Sequence, residues 1–140
     1  MEVDLWKSNN WLDSKSRENG AVKLPSGLIY KKLSSRYFGK SAVPKSTCVC
    51  HYIGSLYTGK VFESSYQRGE PVSFTPTDVI KGWSEALQLM KEGEKWELYV
   101  PSDLAYGEEG QAPFIPKKCP IMFVLELLKV EGESKQLSEL

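Results

Sequence analysis

The alternation of apolar and polar residues predicts that most of the chain after residue 27 forms β-strands. Along 46–57, Cys48, Cys50 and Tyr52 fall on one face, because successive side chains of a strand point to opposite sides. The segment 94–100 alternates in the same way. Further strands are predicted at 28–30, 60–63 and 72–74, and at 121–130, where the chain is almost continuously apolar. That last segment has the composition of a central strand.

A single helix is predicted between the strands at 72–74 and 94–100. Its apolar residues recur at helical spacing and form one stripe: Val79, Trp83, Ala86, Leu87 and Met90. Thr77 or Asp78 is expected to cap its first turn, and Gly93 to end it in a left-handed conformation. One short helix among many strands predicts an α+β fold, in which a largely antiparallel β-sheet curls around the helix stripe.

Two polar segments flank this pattern. Residues 1–26 form an N-terminal extension, 27–130 the domain itself, and 131–140 a polar C-terminal tail. Within the extension, 4–18 can form a helix whose largest apolar side chains are Trp6 and Trp11. Two interpretations stay open: a frayed tail, and a helical arm that packs on the domain or on a second copy.

Length, charge and cysteine content narrow the class of protein. The 140 residues fit one domain, and 18 basic residues balance 18 acidic ones, which argues against electrostatic capture of nucleic acid or an anionic membrane. No run of 18 apolar residues could span a membrane, and no signal peptide is visible at the N-terminus. Cys48, Cys50 and Cys119 are expected to be reduced, buried thiols without zinc. We therefore expect a cytoplasmic protein, or a secreted one if a leader has been removed.

The sequence lacks the usual groups of covalent or cofactor chemistry. Its single histidine, His51, falls on the strand face opposite Tyr52 and is expected to be a solvated surface residue. No nucleophile elbow, phosphate-binding loop, dinucleotide-binding motif or zinc-binding helix motif occurs. Hydrolase, kinase, dehydrogenase and metalloenzyme functions are disfavoured, and no cofactor or metal is expected.

Several aromatic residues converge with a few polar groups. They lie on the inward strand face, on the helix stripe and in the proline-rich loop 101–120, which we expect to be a folded binding loop: Tyr52, Phe62, Phe74, Trp83, Tyr106 and Phe123. Any one of them is explained by an ordinary core. Together with Glu63, Asp78 and the Tyr106 hydroxyl, they indicate a pocket for a small apolar ligand.

Three motifs make the chain resemble the FKBP-type peptidyl-prolyl cis-trans isomerases over roughly residues 27–130. They are HYIGSLYTGKVFESS (51–65), VIKGWSEALQLMKEGEKWELYVPSDLAYGEEG (79–110) and IPKKCPIMFVLELLKV (115–130). The lead-in AVKLPSGLIYKKL (21–33) is similar to that of the macrophage infectivity potentiator subgroup, whose bacterial members dimerise through an N-terminal helical arm. The resemblance implies rotation about Xaa-Pro bonds in proline-containing polypeptides, without a cofactor, and binding of rapamycin-type macrolides. It also implies a monomer, or a weak dimer through the arm.

The resemblance also implies roles for individual residues. The catalytic pocket is expected to comprise Tyr52, Phe62, Glu63, Trp83, Tyr106 and Phe123, with Trp83 as its floor. The substrate is expected to contact Phe74, Val72, Asp78, Val79, Ile80, Phe114 and Ile115, with the Ile80 N–H and the Tyr106 hydroxyl donating to ligand carbonyls.

The chain departs from the family pattern at Glu63, where an aspartate is usual, at Val72, which should open one wall, and at Gln111 and Phe114 in the flap. The alternative function is an FKBP-like binding or chaperone module with weak or no isomerase activity.

Overall fold

The computed structural model describes residues 2–138, which contain a seven-stranded antiparallel sheet and a separate two-stranded one. The strands of the larger sheet, in chain order, are β1 (Val22–Lys23), β2 (Ile29–Ser34), β4 (Thr47–Leu56), β5 (Val61–Ser64), β6 (Val72–Phe74), β7 (Lys95–Val100) and β8 (Ile121–Glu131), while β3 (Phe38–Ser41) pairs separately with β9 (Lys135–Ser138). The order across the sheet is β1-β2-β7-β8-β4-β5, with β6 beside β4. The strand β8 pairs with both β4 and β7, which confirms the central strand predicted at 121–130.

The side chains of β4 alternate as predicted. Cys48, Cys50 and Tyr52 point into the core, whereas Val49 and His51 are half-buried on the other face. His51 is not the solvated residue expected, because its ring stacks on Tyr66 at 4.4 Å between centroids and its Nδ1 lies 2.8 Å from the Ser65 Oγ. The helix α2 (Ser65–Arg68), which no sequence pattern predicted, supplies these partners and follows β5 directly.

The helix α3 (Lys81–Leu87) packs its stripe into the sheet. Trp83, Ala86 and Leu87 are each at most 4% exposed, which confirms the predicted α+β arrangement. Its predicted ends were wrong. The residues Pro76–Asp78 form a separate 3₁₀ turn, and Val79 is extended, so the helix begins only at Lys81.

Neither predicted capping residue reaches the helix. The Asp78 carboxylate accepts a hydrogen bond from the Thr75 hydroxyl at 2.8 Å, within the 3₁₀ turn. The helix ends at Leu87, and Gly93, with φ of 93°, belongs to the turn before β7, where its N–H donates to the Leu127 carbonyl at 2.7 Å.

The N-terminal extension is a docked helix rather than a frayed tail. The helix α1 (Leu5–Ser16) is capped by Asp4, whose carboxylate accepts from the Lys7 N–H at 3.1 Å. Trp11 packs edge-on against Tyr99 at 5.8 Å and tilted against Tyr57 at 6.1 Å. The arm therefore packs on its own domain, and a weak dimer through it stays a prediction.

Residues 135–138 of the polar C-terminal segment form β9, and residues 139–140 of that segment lie outside the described part of the chain. The three cysteines are free and buried, as expected. No helix within residues 2–138 has the length and apolar character needed to cross a membrane.

Candidate functional site

A pocket of about 310 Å³ opens between α3, the sheet and the loop 101–120. We call it the aromatic pocket. Its walls come from five separate stretches of the chain: Tyr52, Glu63, Phe74, Asp78, Val79, Ile80, Trp83, Tyr106, Gln111 and Phe123. The fold therefore brings together residues that lie far apart in the sequence, as the family resemblance implied.

Trp83 forms the floor of the aromatic pocket. Its indole makes edge contacts with three other rings, at centroid distances of 5.0 Å to Tyr52, 5.1 Å to Phe74 and 5.2 Å to Phe123. Such edge-to-face pairs stabilise one another because the positive edge of one ring meets the negative face of the next. Trp83 is only 4% exposed, so the surrounding rings cover most of its indole.

A glycine on β4 allows two wall rings to approach closely. A Cβ atom added to Gly54 would lie 2.8 Å from the Phe62 ring and 2.9 Å from the Phe123 ring. Those rings meet edge-to-face with centroids 6.2 Å apart. The absence of a side chain at Gly54 thus sets how far Phe62 and Phe123 reach into the site.

A hydrogen-bonded group of three side chains closes one wall. The Tyr52 hydroxyl donates to Glu63 Oε1 at 2.5 Å, and Arg68 donates to the Tyr52 hydroxyl at 3.2 Å and to Glu63 at 3.4 Å. Burial and the hydrogen bond to Glu63 raise the pKa of Tyr52 above its usual value, and Arg68 opposes this shift. Tyr52 therefore stays protonated and holds the carboxylate of Glu63 against the wall.

Some hydrogen-bond donors at the pocket remain available to a ligand. The Tyr106 hydroxyl and the Ile80 N–H each have no hydrogen-bond partner among residues 2–138. Burial and then the negative charge of Glu63 raise the pKa of Tyr106, so its hydroxyl is protonated at neutral pH and can donate. An incoming carbonyl would find both donors at one apolar surface.

A second cavity, of about 390 Å³, continues from the aromatic pocket along the loop. We call it the flap groove, and it is lined by Phe62, Glu63, Tyr106, Gln111, Ala112, Pro113, Phe114 and Ile115. Gln111 and Ile115 exchange two backbone hydrogen bonds, of 2.8 Å and 2.9 Å, which fold the flap back on itself. Phe114, at its tip, is 65% exposed.

The predicted site residues divide between these two cavities. Nine of them line the aromatic pocket, and Phe62, Phe114 and Ile115 line the flap groove beside it. Val72 lines neither, because it lies on β6 opposite Cys50 and packs against the core. The roles assigned to these residues stay predictions.

Arg68 was missed by sequence reasoning. It reaches the site only because α2 turns the chain back towards β4, and no local pattern signals that turn. In the sequence, Gln111 stands out only as a departure from the family pattern in the flap, yet it lines both cavities.

Comparisons with known proteins show which family the chain is similar to. Residues 39–128 match the family model described as FKBP-type peptidyl-prolyl cis-trans isomerase. The chain is 42% identical over 125 residues to the macrophage infectivity potentiator of Trypanosoma cruzi, covering 89% of this chain and 64% of that protein. It is 41% identical over 122 residues to the FKBP-type 22 kDa peptidyl-prolyl cis-trans isomerase of Escherichia coli, covering 86% and 58%.

Solved structures show the same fold. The crystal structure of FkpA from Escherichia coli superposes with a TM-score of 0.86 at 37% identity, covering 91% of this chain and 59% of that one. A peptidyl-prolyl cis-trans isomerase from Pseudomonas syringae pv. tomato gives a TM-score of 0.86 at 30% identity, covering 94% and 99%. The chain spans between about half and two thirds of the length of the curated relatives it matches.

Proposed function

The chain belongs to the family of FKBP-type peptidyl-prolyl cis-trans isomerases, and we propose that it catalyses rotation about Xaa-Pro bonds in polypeptides and so assists their folding. The observation that carries this proposal is the aromatic pocket itself, in which two unpartnered donors, Tyr106 and Ile80, face an apolar floor. The reaction needs no nucleophile and no cofactor, so the site does not have to supply them.

The chemistry follows from the electronic structure of the amide. Rotation about a peptide bond breaks its resonance and has a barrier of about 18–20 kcal/mol. In the twisted amide the carbonyl dipole shrinks, so the transition state is less polar than either planar isomer. A dry aromatic environment therefore favours the twisted form relative to water, which is the differential binding that catalysis requires.

Each part of the site has a place in this mechanism. The proline ring of the substrate lies on the indole of Trp83, between the rings of Tyr52 and Phe123. The Ile80 N–H and the Tyr106 hydroxyl donate to carbonyls of the substrate and fix the peptide while the bond turns. A 10⁴-fold acceleration corresponds to about 5.4 kcal/mol, which solvent exclusion and one or two hydrogen bonds can supply together.

We further propose that rapamycin-type macrolides bind in the same pocket. The apolar walls and the Ile80 donor suit a ligand that presents a ring beside a carbonyl. Glu63, which stands where an aspartate is usual, accepts a hydrogen bond from the Tyr52 hydroxyl, and this contact closes the wall on that side.

An isomer-specific protease assay on a short Leu-Pro peptide tests both proposals. We expect the full chain to accelerate the cis-to-trans step, and rapamycin to abolish the acceleration. Macrolide binding measured by calorimetry without catalysis would favour the alternative of a binding module. Catalysis that rapamycin leaves unchanged would retain the isomerase proposal and refute the macrolide proposal.

A further inference from the structure

The N-terminal helix α1 lies behind the loop that carries Tyr106. A cavity of about 460 Å³ separates the helix from the back of this loop. Leu5, Ser8 and Asn9 line it from the helix, and Ser102, Gly107 and Lys118 line it from the loop. The front of the same loop forms one wall of the aromatic pocket through Tyr106.

Trp11 contacts one residue beside each end of the loop 101–120. Its ring meets Tyr99 at 5.8 Å, two residues before the loop begins at Pro101. It also meets Tyr57 at 6.1 Å, and the Tyr57 N–H donates to the carbonyl of Pro120, the last residue of the loop, at 3.1 Å. Trp11 thus packs against Tyr99, which lies just before the loop, and against Tyr57, which is hydrogen-bonded to the last residue of the loop.

Two backbone hydrogen bonds link the residue after Tyr106 to residues near the two ends of the loop. Gly107, the next residue, donates its N–H to the Ser102 carbonyl at 2.8 Å and accepts from the Lys118 N–H at 3.0 Å. Ser102 follows Pro101, the first residue of the loop, and Lys118 lies two residues before Pro120, the last. The backbone at Tyr106 is therefore fixed relative to both ends rather than free to move between them.

Charged groups hold the C-terminal end of α1 on the sheet independently of Trp11. Glu18 lies 2.5 Å from the Lys31 Nζ on β2 and 3.1 Å from the Lys15 Nζ. Lys15 also lies over the Tyr99 ring, at 5.3 Å from its centroid. Shortening Trp11 should therefore relax the packing of Tyr99 and Tyr57 beside the loop, while these contacts keep the helix near the domain.

We propose that Trp11 is a positioning residue that sets the placement of the Tyr106 hydroxyl in the aromatic pocket. This inference rests on the proposed isomerase function. The arm would then contribute to catalysis within a single chain, whether or not it also contacts a second copy.

The test compares Trp11→Ala with Trp6→Ala in the full chain. Trp6 lies on the same helix and is 74% exposed, so its removal is the matched control. We expect Trp11→Ala to lower kcat/KM by about threefold, within the loss that one hydrogen bond can cause, and Trp6→Ala to leave it unchanged. In a Tyr106→Phe background, Trp11→Ala should have no further effect, because the group it positions is gone.

Two results would overturn the proposal. One is equal kcat/KM for Trp11→Ala and Trp6→Ala. The other is an undiminished loss from Trp11→Ala in the Tyr106→Phe background, since Trp11 would then act on something other than this hydroxyl. Should Trp11→Ala not fold, Trp11→Phe, which keeps a smaller ring, carries the same comparisons.

A spectroscopic readout separates this proposal from the isomerase proposal. In protein with ¹³C-labelled tyrosine rings, the Tyr106 signal is assigned by its loss in Tyr106→Phe. We expect Trp11→Ala to shift that signal and Trp6→Ala not to. If the wild-type chain fails to isomerise peptides but Trp11→Ala still shifts the Tyr106 signal, the isomerase proposal is refuted. The coupling between Trp11 and Tyr106 is then retained. An unmoved signal refutes the coupling itself.

Discussion

Removing one hydroxyl from the aromatic pocket separates catalysis from stability. In Tyr106→Phe the ring remains and only the oxygen is lost. That oxygen has no hydrogen-bond partner in the part of the chain that the structure describes, so the substitution leaves no other group there without its partner. We therefore expect the free energy of unfolding to change by less than about 0.5 kcal/mol.

The expected loss of activity comes from the substrate side. A single neutral hydrogen bond contributes about 0.5–1.5 kcal/mol net, which corresponds to about a 2- to 13-fold loss of kcat/KM. If the bond is equally strong in the planar and the twisted amide, the loss falls on KM rather than kcat.

The same chemical change at Tyr52 is the matched control. Its hydroxyl donates to Glu63 at 2.5 Å and accepts from Arg68, so Tyr52→Phe breaks contacts within the fold itself. Because the Glu63 side chain is 44% exposed, we expect a cost of only about 1 kcal/mol, below the usual range for bonds to charged groups. With about 2.1 cal/mol/K of unfolding entropy per residue, 140 residues lose about 3 °C of Tm for each kcal/mol.

Thermal unfolding and peptide isomerisation, measured on both variants, test whether the Tyr106 hydroxyl acts on the substrate or stabilises the fold. We expect Tyr106→Phe to keep the wild-type Tm with reduced kcat/KM, and Tyr52→Phe to lose about 3 °C. A Tyr106→Phe variant with wild-type kcat/KM would refute the assigned hydrogen bond. A lowered Tm in that variant would show that the hydroxyl has a partner within the fold.

Two further predictions follow from the packing around β4. Gly54→Ala places a methyl group within 3 Å of both Phe62 and Phe123. We therefore expect the free energy of unfolding, measured in urea, to fall by about 1–3 kcal/mol, and kcat/KM to fall as well. An unchanged kcat/KM would contradict the role of these rings. Burial raises the pKa of Cys48 to about 11, and that of Cys50 also rises, so neither thiol should react with iodoacetamide at pH 8 in the folded protein. Since unfolded thiols ionise at lower pH, the free energy of unfolding should fall as pH rises from about 9 towards 11, and Cys48→Ala should weaken this dependence.

The strands could be predicted because their signals are local, whereas the pocket was predicted from the family resemblance. The alternation along 46–57 fixes which face of β4 is buried, and burial of Cys48, Cys50 and Tyr52 follows from it. The three motifs that carry the family resemblance lie in the sheet, in α3 and in the loop. A correct prediction of these elements therefore brings the aromatic residues together.

Other features depend on contacts between distant parts of the chain. The start of α3 was misplaced because Thr77 and Asp78 have the composition of helix caps, yet Thr75 binds Asp78 within a 3₁₀ turn instead. The pairing of Phe38–Ser41 with Lys135–Ser138 joins segments almost a hundred residues apart, and short polar strands carry little periodic signal. Arg68 has the same explanation, since only the fold brings it to Tyr52.

Exchange NMR on a Leu-Pro peptide at equilibrium tests the central claim most directly, because it needs no coupling protease. Phe123→Ala is the matched variant: Phe123 is 3% exposed and contacts Trp83, so its removal opens the pocket and costs about 3 kcal/mol of stability, or about 10 °C of Tm. At a temperature where both proteins are folded, we expect cis–trans exchange peaks with catalytic amounts of the wild-type chain and at least tenfold slower exchange with the variant. No exchange with the wild type, or equal exchange with both, would contradict catalysis in the aromatic pocket.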